Sequence, residues 1–161
     1  MKGQGMTSIE GVLGNTRVTD LVALLKERRL PLIHEKANIE EVVEAMIRFE
    51  HSRLLYVVDD EGKLTGTISL GLLVRHVFSP SHEPQIHPRF LISMITAETA
   101  KDIMKKNPVV TTEEEEVGIV LKRMIRTNVK EIPVLDSEKR VIADLTIVDL
   151  LRFIVVNSRE Y

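Results

Sequence analysis

The chain is written twice, and this duplication constrains its fold more than any other feature. Met46-Ile47-Arg48 returns as Met124-Ile125-Arg126 at an offset of 78 positions. Three further blocks keep an offset of 77: Pro31-Leu32-Ile33 with Pro108-Val109-Val110, Val57-Val58-Asp59 with Val134-Leu135-Asp136, and Leu73-Val74-Arg75 with Leu150-Leu151-Arg152. Four blocks in one order mark a repeated supersecondary unit rather than chance identity. A unit of about 50 residues buries its faces poorly alone, so the two copies are expected to pack together.

Each copy reads as strand, helix, strand, strand, helix. A short extended segment follows a proline, at Leu32 to His34 and at Val109 to Thr111. Asn38 then suits an N-cap that Glu41 can close, ahead of an apolar stripe of Ile39, Val42, Val43, Met46 and Ile47. The second copy places Val117, Val120, Leu121, Met124 and Ile125 likewise, with Glu113 to Glu116 at the positive end of the helix dipole. Two β-rich runs come next, Leu54 to Val58 and Leu64 to Ser69 around Asp60-Glu61-Gly62, matched by Ile132 to Leu135 and Val141 to Leu145. Ser69 and Thr146 supply hydroxyls able to cap the last helix of each copy. The fold class is therefore α+β, a tandem β-α-β-β-α arrangement. Ahead of the first copy, Thr19 is expected to cap a helix bearing Leu21, Leu24 and Leu25, with Lys26, Arg28 and Arg29 at its negative end.

This divides the chain into an arm at 1–16, a first repeat at 17–78, a connector at 79–96 and a second repeat at 97–157. The connector holds Pro80, Pro84 and Pro88, which favour an irregular loop.

Composition narrows the function. Among 161 residues, 22 Lys plus Arg against 24 Asp plus Glu leave a net charge of −2, without the basic surplus of a nucleic-acid or anionic-membrane binder. Aromatics at 4% and the absence of Trp remove stacking platforms for single strands. With no Cys there is no disulfide, thiolate metal site or Cys nucleophile. No apolar run approaches the ~18 residues of a membrane span, and Met1 to Asn15 lacks a signal-peptide core. The expectation is a soluble cytoplasmic chain, or the cytoplasmic part of a longer one, with no direct membrane insertion.

At this point the residues resemble a tandem pair of CBS domains, the cystathionine-β-synthase-type repeats that make a Bateman module. The resemblance rests on Ala100-Lys101-Asp102-Ile103-Met104 before Asn107-Pro108-Val109-Val110, on Ile132-Pro133-Val134-Leu135-Asp136, and on Ala143-Asp144-Leu145-Thr146-Ile147-Val148-Asp149-Leu150-Leu151. Val18-Thr19-Asp20-Leu21, Leu55-Tyr56-Val57-Val58-Asp59 and Gly66-Thr67-Ile68-Ser69-Leu70 are the first-copy counterparts. It implies two repeats packed through their sheets with pseudo-twofold symmetry, usually as a homodimer. It also implies a regulatory module that binds AMP, ADP, ATP or S-adenosylmethionine in the inter-repeat cleft, requires no cofactor, and controls a partner enzyme, transporter or channel. The alternative is a structural dimerisation or docking module with no small ligand.

The resemblance carries over residue by residue. Thr146 and Asp149 match the family's ribose motif; a carboxylate can accept both hydroxyls of a ribose. The same pattern is a capping box, a purely structural use. In the first copy Leu72 stands where the Asp should be, so the two clefts should be unequal and one nucleoside should bind per chain. Arg53 and Lys130 occupy the position of a phosphate contact, with Glu131 beside Lys130 opposing a triphosphate. Ile33, His34 and Leu54 or Leu55 would meet the base. His34, His51, His76, His82 and His87 fit no compact metal spacing. Gly66 to Gly71 misses the nucleophile-elbow spacing by one residue. No catalytic constellation is supported, and the expectation is that the chain is not an enzyme.

Overall fold

The structure is a computed structural model that describes residues 11, 13–25, 28–50, 52–78 and 98–158. The connector at 79–96, most of the N-terminal arm, and His51, His82 and His87 lie outside the described residues. In chain order the elements are α1 (Val18–Leu24), β1 (Leu32–His34), α2 (Ile39–Arg48), β2 (Leu54–Val58), β3 (Leu64–Ser69), α3 (Leu70–Val77), α4 (Ala100–Ile103), β4 (Thr111–Thr112), α5 (Val117–Thr127), β5 (Glu131–Leu135), β6 (Val141–Thr146) and α6 (Ile147–Ser158). No helix among the described residues is long and apolar enough to cross a membrane.

The repeat survives in fine detail. Each copy builds a three-stranded sheet, β1-β2-β3 or β4-β5-β6, with its first pair parallel and its second antiparallel. The β2–β3 ladder shifts register between Val57 and Val58, and the β5–β6 ladder at the matching Val134 and Leu135. Both hairpin turns are closed by an aspartate. Asp59 Oδ1 accepts from the Glu61 and Lys63 amides at 2.9 and 3.0 Å, and Asp136 Oδ1 from those of Glu138 and Arg140, both at 2.9 Å. The left-handed position of the turn is Gly62 in one copy (φ 78°) and Lys139 in the other (φ 64°).

Packing follows a different order from the chain. The molecule divides into two compact units, one of residues 1–30 with 109–161 and the other of 31–108. In the first, Val18 and Leu21 of α1 share a core with Val117, Val120 and Met124 of α5, with Ile132, Val134, Ala143 and Leu145 of the sheet, and with Leu150 of α6. In the second, Ala100 and Ile103 of α4 join Ile39, Val42, Ala45 and Met46 of α2, Leu55, Val57 and Ile68, and Leu73 and Val77 of α3. The helix preceding each copy thus packs on the sheet of the other copy. Backbone hydrogen bonds make the same exchange: Val18 N to Glu115 O at 2.9 Å, and Ala100 N to Ala37 O at 2.8 Å.

Three local expectations are corrected. Thr19 does not cap α1; Arg17 is the N-cap, its amide donating to Asp20 Oδ2 at 2.9 Å, and Thr19 lies exposed within the helix. Ile47 and Ile125 continue their apolar stripes but are 71% and 67% exposed, because the core ends at Met46 and Met124. The first strand of the second copy is Thr111–Thr112 rather than Val109 to Thr111, the Val110 carbonyl being held by Arg123 Nη1 at 2.9 Å. Asn38 behaves as read, its Oδ1 accepting from the Glu41 amide at 2.8 Å.

Candidate functional site

In the unit built on the second copy, β6 runs directly into α6 at Thr146. The two residues there cap the helix reciprocally. The Thr146 amide donates to Asp149 Oδ2 at 2.8 Å, and the Asp149 amide donates to Thr146 Oγ1 at 3.1 Å. This satisfies donors that the helix start would otherwise orphan. It also fixes the Asp149 carboxylate at the strand-to-helix junction, 7% exposed.

That carboxylate has a further partner. Arg28, in the stretch between α1 and β1, donates from Nη1 to Asp149 Oδ2 at 2.8 Å and from Nη2 to Asp149 Oδ1 at 2.5 Å. Its Nη1 also reaches Asp144 Oδ1 at 3.4 Å. Arg28 was expected to complement the end of α1; its guanidinium instead forms a planar fork on a buried carboxylate, the geometry arginine suits best. Asp144 lies on β6 and is 4% exposed.

The two carboxylates titrate in opposite directions. Burial, with smaller contributions from Glu131 and Asp149, pushes the Asp144 carboxyl up to about 6 against the opposing pull of Arg28. Burial also acts on Asp149, but the Arg28 hydrogen bonds and those with Thr146 outweigh it and hold that carboxyl below its ordinary value. Arg28 is raised, first by its hydrogen bond to Asp149.

Lys130 stands beside this junction. Its carbonyl accepts from the Ile147 amide at 2.9 Å, while its ammonium donates to Asn128 Oδ1 at 3.2 Å. The other unit repeats the backbone pattern, with the Arg53 carbonyl accepting from the Leu70 amide at 2.8 Å and Ser69 Oγ accepting from the Leu72 amide at 3.0 Å. Leu72 offers no acceptor and packs against the core of its unit. Leu55, named for the base, is wholly buried in that core because it faces Ile68 across the ladder; its neighbour Leu54 is only half-buried. Ile33 packs against the same core from its edge. His34 has both ring nitrogens engaged: Nδ1 accepts from the Lys36 amide at 3.1 Å and Nε2 meets Asp60 Oδ1 at 2.7 Å. Its ring face is what it can present to another group. Among the described residues no three His, Cys, Asp or Glu side chains group as a metal site.

The model of the CBS domain matches residues 18–79 and 100–156. The chain belongs to the CBS domain family. A CBS domain-containing protein from Thermotoga maritima is 26% identical, covering 84% of this chain and 92% of its own, with a TM-score of 0.65. The CBS domain pair of protein MJ0100, solved in complex with 5′-methylthioadenosine and S-adenosyl-L-methionine, is 24% identical over 88% of this chain and 97% of its own, TM-score 0.63. CBSX2, solved with AMP, shares the fold at 19% identity over 88% of this chain and 98% of its own, TM-score 0.69.

Within this CBS pair, the sequence points to Thr146 and Asp149 as neighbours at a helix start, and the structure adds Arg28 and Asp144, which gather at the same carboxylate. One signal was present. Counting back from Pro31 and Pro108 aligns Arg28 with Lys105, and the offset of 77 aligns Asp144 with Thr67 and Asp149 with Leu72. The second CBS copy therefore differs from the first by gaining two acids at positions that one arginine serves.

Proposed function

We propose that this CBS pair is a regulatory ligand-sensing module that binds an adenosyl compound, the ribose diol donating to Asp149 beside Thr146, and passes the bound state to a partner protein. The observation that carries the reading is the buried Asp149 carboxylate, held in a reciprocal cap at the strand-to-helix junction of a CBS domain. The complexes of MJ0100 with 5′-methylthioadenosine and S-adenosyl-L-methionine and of CBSX2 with AMP support the ligand class. Lys130 and Arg53 are the phosphate candidates, and Ile33, His34 and Leu54 those for the base. Regulation would follow from a population shift, since a ligand can bias two arrangements only by its difference in affinity for them.

Calorimetry with AMP, ADP, ATP, S-adenosylmethionine and 5′-methylthioadenosine tests this. At least one should bind at one per chain, because Leu72 replaces the carboxylate in the first copy. Asp149→Ala should weaken that ligand about ten- to hundredfold, the loss of a hydrogen-bonded charged acceptor. Unchanged affinity in Asp149→Ala, or two equivalent sites per chain, would remove the ribose assignment.

A second reading, a dimerisation or docking module without a small ligand, is favoured by Arg28 already engaging Asp149. It is also favoured by exposed Val148, Leu151, Val155 and Val156 on α6. No response to any adenosyl compound, together with sedimentation as a dimer of the 18.3 kDa chain, would select it.

A further inference from the structure

A carboxylate offers about four acceptor directions, two on each oxygen. At Asp149 three are taken: Oδ2 by the Thr146 amide and Arg28 Nη1, Oδ1 by Arg28 Nη2. A ribose presents two hydroxyl donors and needs two directions, but one remains. The Thr146 bond belongs to the helix cap and is kept as long as α6 keeps its first turn. Arg28 is the group that can leave.

It also has somewhere to go. Asp144 Oδ1 lies 3.4 Å from Nη1, already within ion-pair distance but longer than a good hydrogen bond. A rotation of the guanidinium toward Asp144 keeps the arginine paired, and the two ribose hydroxyls then take its place as donors to the buried Asp149 carboxylate. The first copy supplies the internal comparison: where Asp149 is replaced by Leu72, Asp144 is replaced by Thr67 and Arg28 by Lys105. Lys105 there meets Thr67 through the backbone, N to O at 2.8 Å and O to N at 3.0 Å. The three changes go together, as parts of one device would. Arg28 further lies three positions before Pro31, where the chain passes from one compact unit to the other.

We propose that Arg28 is an internal occupant of the Asp149 carboxylate, and that an adenosyl ligand binds by displacing it onto Asp144. This rests on the ribose reading above. Arg28 thereby sets the apparent affinity of the site: the ligand binds only the fraction of molecules in which the pair is open. The contact also makes the segment entering β1 responsive to the ligand.

The test uses the full chain and AMP, with 5′-methylthioadenosine as a phosphate-free probe. Arg28→Ala should bind both about ten- to hundredfold more tightly than the parent, the range for a pair closed in 90–99% of molecules. The double variant Arg28→Ala/Asp144→Asn removes the occupant without leaving two carboxylates facing each other, and should show the same gain if Arg28→Ala folds poorly. In the parent, the Arg28 guanidinium NMR signals should show slowed rotation that is altered on adding AMP. Equal or weaker binding in both variants, with Asp149→Ala still defective, overturns the proposal and leaves the ribose reading standing. If 2′-deoxyadenosine 5′-monophosphate matches AMP in the parent, or neither the parent nor any variant binds AMP, ADP, ATP, S-adenosylmethionine or 5′-methylthioadenosine, the ribose reading fails and takes this proposal with it.

Discussion

Asp144 is a carboxylate that folding makes harder to ionise. Its folded value of about 6 stands above the ~3.9 of an unfolded aspartate, so the native state holds its proton more tightly than the unfolded chain does. The charged groups facing it are Arg28, which favours ionisation, and Glu131 and Asp149, which oppose it. Its contribution is destabilising and complete above pH 6, and fades as pH falls toward 4. At pH 7 it amounts to about 3 kcal/mol, falling by about 1 kcal/mol on going to pH 5. Asp149 acts in the other direction, its contribution present above the unfolded value and lost as pH falls through its depressed folded one. Denaturant melts should therefore show the parent gaining stability from pH 7 to pH 5. Asp144→Asn should be more stable than the parent at pH 7 by about 1–3 kcal/mol and lose that gain. A variant as pH-sensitive as the parent would place the titration elsewhere.

At the scale of elements, local patterning carries most of what forms. Apolar spacing marks α2 and α5, aspartates close both hairpin turns, and Asn38 caps its helix as its position suggests. What patterning does not show is how closely two segments approach. The backbone of Lys105 runs against β3, paired with Thr67, and a Cβ built on Gly66 would lie 2.7 Å from the Lys105 carbonyl and 2.6 Å from Met104 Sδ. The methionine can move; the carbonyl is held by the two hydrogen bonds of the bridge. In the other copy Ala143 fills the matching position, part of the core of its unit. Gly66→Ala should cost about 1–3 kcal/mol by overpacking, read as a lower midpoint in denaturant. A neutral result would mean that the crossing segment shifts freely.

At the scale of the whole molecule, the exchange of leading helices separates the repeats as written from the units as packed. Val18 precedes the first copy but is fully buried in the core of the second. Val18→Asp places an unpaired charge there, at a cost on the order of 3 kcal/mol or more. Hydrogen exchange should then show protection lost in residues 109–158 before 31–78. Loss confined to 31–78 would contradict the exchange.

The sequence by itself determined the duplication, the order of the elements, the strand-to-helix junction bearing Thr146 and Asp149, and the missing acid at Leu72. All of these depend on residues a few positions apart, where 3.6- and 2-residue periodicities, turn aspartates and caps act on neighbouring backbone groups. Only the tertiary structure decided that α1 belongs with the second sheet, that Leu55 is spent on the core, and that Arg28 rests on Asp149. Arg28 and Asp149 are 121 positions apart. Local spacing marks a carboxylate as able to accept, but which donor reaches it depends on which segment docks over the buried junction, and docking is settled by apolar cores that draw on distant parts of the chain.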